Sequence, residues 1–221
     1  MAGVLSRLSV QGKSVLTVLG SGDQALDFYW AGAREVVGFD ITRLASYVCE
    51  LKFAALRRFD REPYLRLLLE LQEGLTAQGK RAFAELLPDL TPTAGRWLAG
   101  VLENGGEFKV RSRSRALLCA INPYLQSDAD YLRTRERARP GLCVTADLFQ
   151  VAERFNRRFD VVYLANVLDF NRADAAAAVA HLWPLVEPSG CIASYEFASH
   201  PRREGEYGSG TVERAEFKGP I

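Results

Sequence analysis

Val15–Leu19 is a short apolar run rich in β-branched residues, and it stops at Gly20. A second such run, Glu35–Asp40, ends on an acid, and the residues between them, Asp23–Gly32, carry a helical pattern. Continuous apolar strands of this length are buried on both faces, as the strands of a parallel sheet are. Strand, helix, strand is then a right-handed crossover. Thr42–Phe59 supplies the next helix, with Leu44, Val48, Leu51, Ala55 and Phe59 on one side at steps of three or four.

From about Asp60 to Pro140 no strand pattern appears. "PYLRLLLELQEGL", "KRAFAELLPDL", "AGRWLAGVLENG" and "DADYLRTRERA" are helix-length pieces punctuated by glycine and proline. Strand patterns return at Cys143–Thr145, in the block Phe159–Phe170 and at Gly190–Ser199, with a helix over Ala173–Leu185. The tail "TVERAEFK" alternates like an antiparallel edge strand. The expected fold is α/β: a doubly wound, mostly parallel sheet with its switch point beside the first strand and a helical insert, residues 60–140, between the second and third. Its 221 residues are read as a single domain.

A formal net charge of +1 gives no global basic field, so a nucleic-acid partner is not expected. No apolar run approaches a membrane span, no helix has interfacial character, and a cytoplasmic setting without stable membrane association is expected. The four cysteines are widely spaced and only His181 and His200 are histidines, so the thiols are read as free and no metal is expected. The insert's arginines, Arg111, Arg113, Arg115, Arg133, Arg135, Arg137 and Arg139, form a basic stripe. It reads as a solvated helix face or as a clamp for a carboxylate or phosphate.

The chemistry lies at the strand ends. Gly20 and Gly22 let backbone approach a ligand closely after the first strand, and Asp40, eighteen residues beyond Gly22, suits a carboxylate accepting from ribose hydroxyls. The loop is Gly20-Ser21-Gly22-Asp23, and Ala25 stands where a dinucleotide fingerprint needs its third glycine. Asp23 puts a negative charge at the helix N-terminus, where pyrophosphate would bind, and that like charge disfavours a dinucleotide. A cationic nucleoside, S-adenosylmethionine, fits better. An ordinary tight turn would use the same residues. Asp147 in "TADLF" is placed for an adenine amino group, with Leu148 and Phe149 against the ring; capping the next helix is its alternative role. Asn166 in "YLANVLDF" is placed for the methionine end.

The segments "VLTVLGSGDQALDFYWAGAREVVGFDIT", "LKFAALRRF" and "DVVYLANVLDF" resemble those of the class I methyltransferase fold, within it the S-adenosylmethionine:diacylglycerol 3-amino-3-carboxypropyl transferases. The likeness covers under half of the chain, Val15–Phe59 and Thr145–Phe170. Ala165 and Phe170 stand where that branch tends to have Ser and Trp. The resemblance implies a cofactor loop of Gly20, Ser21, Gly22 and Asp23. Asp40 with Ile41 would lie at the ribose, Asp147 with Leu148 at the adenine, and Asn166 with Asp169 at the reacting end. It also implies unusual chemistry: that branch moves the aminocarboxypropyl arm and leaves methylthioadenosine, and relatives close the arm into azetidine-2-carboxylate.

The chain is shorter than the lipid-directed transferases, and only about fourteen residues precede the first strand. With no evident acceptor site, ring closure is favoured slightly over transfer to a small soluble acceptor. Tyr163 and Asn166 are the expected holders of the substrate amine, with Ser194 and Tyr195 as weaker candidates. Phe28, Tyr29, Trp30 and Phe170 are core or a face for a sulfonium. Two other readings stand: a small-molecule methyltransferase, and a non-catalytic S-adenosylmethionine-binding subunit.

Overall fold

The computed structural model describes residues 2–5, 7–103, 114–170, 175–197 and 212–217, with positions 2, 3, 102, 169–170, 195–197 and 212–217 described by their backbone. A short helix α1 (Ala2–Leu5) leads to strand β1 (Ser14–Val18), helix α2 (Asp23–Trp30), strand β2 (Glu35–Asp40) and helix α3 (Arg43–Arg58). Five helices follow: α4 (Arg61–Glu73), α5 (Ala77–Leu86), α6 (Pro92–Glu103), α7 (Arg115–Ile121) and α8 (Asp128–Arg137). The chain then returns to the sheet as β3 (Cys143–Thr145) and β4 (Phe159–Tyr163), and passes through α9 (Val167–Phe170) and α10 (Ala175–Leu182) to β5 (Val186–Phe197) and β6 (Val212–Phe217).

The strands lie in the order β3-β2-β1-β4-β5-β6. All neighbours are parallel except β5 and β6, which run antiparallel. The chain winds outward from β1 to β3, then crosses back to place β4 on the other side of β1. The reversal leaves a crevice at the carboxyl ends of β1 and β4, where open α/β sheets bind ligands. The expected α/β class, the insert between the second and third strands and the antiparallel tail strand are all present.

Side chains alternate across the sheet as its pleat requires. Val15 and Leu19 enter one core with α2, α3 and the insert; Leu16 and Val18 enter the other, with α10. The insert shares the first core. Tyr64, Tyr124 and Tyr131 are buried in it, and the Tyr131 hydroxyl donates to the carbonyl of Phe59 at 2.9 Å. At the amino ends, the Ser14 backbone N–H and hydroxyl both donate to Asp160 Oδ2 at 2.8 Å, joining β1 to β4.

Some boundaries differ from expectation. The block Phe159–Phe170 is not one strand: β4 stops at Tyr163, and a turn in which Val167 N–H donates to the Leu164 carbonyl opens α9. The expected helix Ala173–Leu185 ends at Leu182 as α-helix, and Trp183–Leu185 is a 3-10 turn around Pro184. Proline has no N–H to continue the α-helical ladder.

Candidate functional site

The site is assembled at the carboxyl ends of β1, β2 and β4. Asp40 closes β2, and its carboxylate bridges two loops: Oδ2 accepts from Gly20 N–H and Oδ1 from Thr42 N–H, each at 3.0 Å. These bonds fix the orientation of a half-buried carboxylate whose oxygens keep further acceptor capacity. Gly20 adopts φ +50°, and a β-carbon there would meet nothing within 4 Å, so the space beside its backbone is open. Gly22 differs. Its φ is +80°, and a β-carbon would lie 3.0 Å from the Cα of Cys49 in α3. Loop and helix approach each other this closely only because position 22 has no side chain. Ile41, beside Asp40, is 72% exposed.

Asp23 faces inward. Lys52 Nζ lies 2.7 Å from its Oδ2, the Ser21 hydroxyl donates to the same oxygen at 2.8 Å, and the Tyr124 hydroxyl donates to Oδ1 at 2.7 Å. Burial pushes the Asp23 carboxyl up, but the charge and hydrogen bond of Lys52, with those of Tyr124 and Ser21, outweigh it and hold the carboxyl below its ordinary value. This corrects the argument that the acid calls for a cationic ligand: its cation is Lys52, inside the fold. One turn on, Asp27 is fully buried, accepts only a long bond from Tyr124 N–H at 3.4 Å, and leaves Oδ2 without a partner among the described residues. Burial, then the charge of Asp23, pushes its carboxyl well above the ordinary range and favours the protonated form.

Asp147 caps the turn after β3, its Oδ1 accepting from Phe149 and Gln150 N–H at 2.8 and 2.9 Å. Leu148 is buried in the core on the α10 side of the sheet, which corrects its expected place against a ligand ring; Phe149 is the exposed neighbour, 40% accessible. After β4, Ala165 adopts φ +50°, a conformation that carries strain for a residue with a β-carbon, and the half-buried Asn166 follows it in the turn.

Tyr163 is fully buried, with the ring of Phe28 edge-on at a centroid distance of 5.2 Å. It lies on the face of α2 and α3. Ser194 lies on the other face: Ile192 enters the α10-side core and Ala193 the opposite one, so alternation returns Ser194 to the side of Ile192. Tyr163 and Ser194, expected as separate candidates, therefore lie on opposite faces of the sheet, and the buried Ser194 Oγ has no partner among the described residues. The side chains of Asp169, Phe170 and Tyr195 lie outside the described residues.

Trp30 is at the α2–α8 contact, where its Nε1–H donates to Asp130 at 2.8 Å and Arg133 stacks 5.8 Å from its ring. Other arginines of the stripe are engaged too: Arg115 with Glu62, Arg135 with Asp60, and Arg137 with the Trp30 carbonyl. Arg133 and Arg137 thus reach α2 at Trp30, whereas Arg115 and Arg135 pair within the insert. Arg111 and Arg113 lie outside the described residues.

Lys52, Tyr124 and Asp27 were not assigned a role by sequence reasoning. Lys52 had one signal, a lone cation inside the apolar run Leu51–Leu56. Tyr124 had none, since its partner is about a hundred positions away.

No family model and no curated protein matches the chain. Among solved structures, a ribosomal protein L11 methylase from Lactobacillus delbrueckii subsp. bulgaricus is similar at 11% identity and a TM-score of 0.37, covering 86% of this chain and 54% of its own. The chain thus spans about half the length of that protein. An rRNA methyltransferase from Streptomyces viridochromogenes matches at 13% identity and a TM-score of 0.43, covering 97% and 81%. A glycopeptide N-methyltransferase in complex with S-adenosyl-L-methionine matches at 13% and 0.40, covering 98% and 64%.

Proposed function

We propose that the chain is an S-adenosylmethionine-dependent transferase acting on the 3-amino-3-carboxypropyl arm, either closing it into azetidine-2-carboxylate or passing it to a small acceptor. The observation that carries the cofactor reading is the Asp40 carboxylate, anchored by Gly20 and Thr42 at the crevice beside an open glycine backbone. A nucleoside with no phosphate fits this donor and acceptor set. Asp40 accepts from ribose hydroxyls, Gly20 gives the backbone room, and Asp147 and Phe149 border the base. The finer reading rests on the resemblance of the glycine loop and the "YLANVLDF" block to the aminocarboxypropyl branch.

Bound there, the cofactor supplies a sulfonium whose attached carbons are open to displacement. The residues have to select one carbon. Asn166, held by the strained turn at Ala165, orients the amino acid end, and Tyr163 with Phe28 forms the apolar wall behind it. Positioning of this kind is worth several kcal/mol of barrier.

The test is incubation of the purified protein with S-adenosylmethionine, with product analysis by mass spectrometry. Methylthioadenosine together with the four-membered amino acid is the expected result. Methylthioadenosine only on addition of an acceptor selects transfer. Adenosylhomocysteine would mean methyl transfer and would overturn the aminocarboxypropyl reading. Binding without consumption would make the chain a non-catalytic subunit.

A further inference from the structure

The two glycines of the loop are held through their backbone. Gly20 N–H donates to Asp40 at 3.0 Å, and Gly22 N–H donates to the Leu19 carbonyl at 2.7 Å. Between them, the Ser21 side chain has one partner among the described residues, Asp23, to whose Oδ2 its hydroxyl donates at 2.8 Å. What fixes Asp23 therefore fixes Ser21. Two of the groups that do so come from outside the loop. Lys52 belongs to α3, and Tyr124 to the insert, on the 3-10 turn Pro123–Leu125 between α7 and α8. That turn is itself fastened: Arg61 of α4 donates through Nε to the Leu125 carbonyl at 2.9 Å, and Leu125 N–H donates to the Asn122 carbonyl at 2.9 Å.

The hydrogen bonds run in one sense. Asp23 stays ionised despite its burial, because Lys52, Tyr124 and Ser21 all favour its charged form. An ionised carboxylate only accepts. Tyr124 and Ser21 must then both give it their hydroxyl hydrogens, over 2.7 and 2.8 Å. With its hydrogen committed, the Tyr124 oxygen accepts in turn from the Tyr64 hydroxyl, 3.0 Å away. The chain Tyr64–Tyr124–Asp23–Ser21 leads from the core of the insert to the glycine loop, and both tyrosines are fully buried, so water does not compete for its links. It leaves the Ser21 hydroxyl with acceptor capacity only. Towards a ligand, that oxygen suits an N–H donor such as an ammonium and disfavours a carboxylate.

We propose that Tyr124 is a positioning residue for the glycine loop: through Asp23, its hydroxyl sets the orientation in which Ser21 receives the ammonium group of the ligand, so that the insert governs how tightly the loop binds.

The ligand half of this proposal rests on the cofactor reading above, in which S-adenosylmethionine brings an ammonium to the loop; the hold on the loop does not. Tyr124→Phe keeps the ring and its edge-on contact with Tyr64, centroids 6.1 Å apart, and deletes one oxygen. Asp23 Oδ1 then has no donor among the described residues, and the carboxylate is held through Oδ2 alone. Tyr131 provides the control. It is buried in the same core, but its hydroxyl donates to the Phe59 carbonyl and lies off the chain.

Hydrogen exchange of the full-length, ligand-free protein, read by mass spectrometry, tests the hold on the loop. In Tyr124→Phe the segment Gly20–Asp23 should exchange about tenfold faster than in the parent, as loss of one hydrogen bond to a charged acceptor implies, while β1 keeps its parental rate. Tyr64→Phe, one link further away, should accelerate the same segment less, and Tyr131→Phe should leave it unchanged. Calorimetric titration reads the consequence. Tyr124→Phe and Ser21→Ala should each bind S-adenosylmethionine about tenfold more weakly, yet bind methylthioadenosine, which has no ammonium, with parental affinity. Parental exchange of the loop in a folded Tyr124→Phe overturns the proposal, and so does equal acceleration in Tyr131→Phe. Equal losses for both ligands overturn the part given to Ser21. A parent that takes up no S-adenosylmethionine rejects the cofactor reading and leaves the exchange of the loop to decide. If Tyr124→Phe does not fold, Tyr64→Phe decides, with parental exchange of the loop again the overturning result.

Discussion

Lys52 Nζ and Asp23 Oδ2 are 2.7 Å apart, and both side chains are less than a tenth exposed. The pair joins α3 to the start of α2 directly beneath the glycine loop. Removing one partner strands the other as a buried charge, and such losses cost about 3–5 kcal/mol. Lys52→Met should therefore destabilise the protein severely in urea denaturation, and Asp23→Asn added to it should recover part of the loss. A double variant no more stable than Lys52→Met alone would show that the pair is not coupled.

Asp23 and Asp27 give stability opposite dependences on pH. The Asp23 carboxyl is held below its ordinary value near 3.8, so its contribution is present above that value and is lost as pH falls through the folded pKa. Asp27 is raised well above 3.8: the native state holds its proton longer than the unfolded chain, and stability declines as pH rises from 3.8 to the folded pKa. Asp27→Asn keeps the shape and removes that decline. Its thermal midpoint should exceed that of the parent at pH 7–8, and the difference should shrink toward pH 4. Equal midpoints at both ends would mean that Asp27 is not a buried neutral acid.

For Asp40→Ala, calorimetric titration with S-adenosylmethionine should show binding weakened by at least about tenfold. Hydrogen bonds to a charged acceptor contribute roughly 1.5–3 kcal/mol each. The variant also loses the anchors to Gly20 and Thr42, so Asp40→Asn, which keeps part of that bonding, should lie between it and the parent. Full affinity in a folded Asp40→Ala would separate this acid from the ribose.

Gly22→Ala combines two penalties, a left-handed backbone that costs roughly 1–2 kcal/mol for a residue with a β-carbon and a methyl placed 3.0 Å from the Cys49 backbone. Gly20→Ala carries only the first, because its added methyl enters open space. Unfolding measurements should rank Gly22→Ala as the less stable of the two. Gly20→Ala should in turn lose ligand affinity out of proportion to its stability.

The elements that could be read from the chain are those whose signal is local. β2 and β3 match their expected ends, Glu35–Asp40 and Cys143–Thr145, because apolar residues with a glycine or acid at the border define them. The doubly wound, mostly parallel class could be read for the same reason, through the alternation of strands and helices. The network beneath the loop could not. Asp23 looked like an offer to a ligand because Lys52 and Tyr124 reach it only through the fold. That Ser194 and Tyr163, both candidates for the reacting end, lie on opposite faces of the sheet follows only from the register of β4 with β5. The turn at Ala165 gave no sign, since alanine carries no preference for a positive φ.

β2 and β3 are neighbours in space, with Gly38 opposite Cys143, yet the entire helical insert separates them along the chain. Their pairing carries the loop-closure entropy of that insert unless its helices have already condensed. Assembly is therefore ordered. The local crossover of β1, α2 and β2 comes first, the helices follow, and β3 zips onto the sheet edge late. During synthesis on the ribosome, Asp23 and Lys52 emerge well before Tyr124, so the buried acid must wait for its hydroxyl donor. Pulsed hydrogen exchange during refolding should find the amides of β1 and β2 protected before that of Val144.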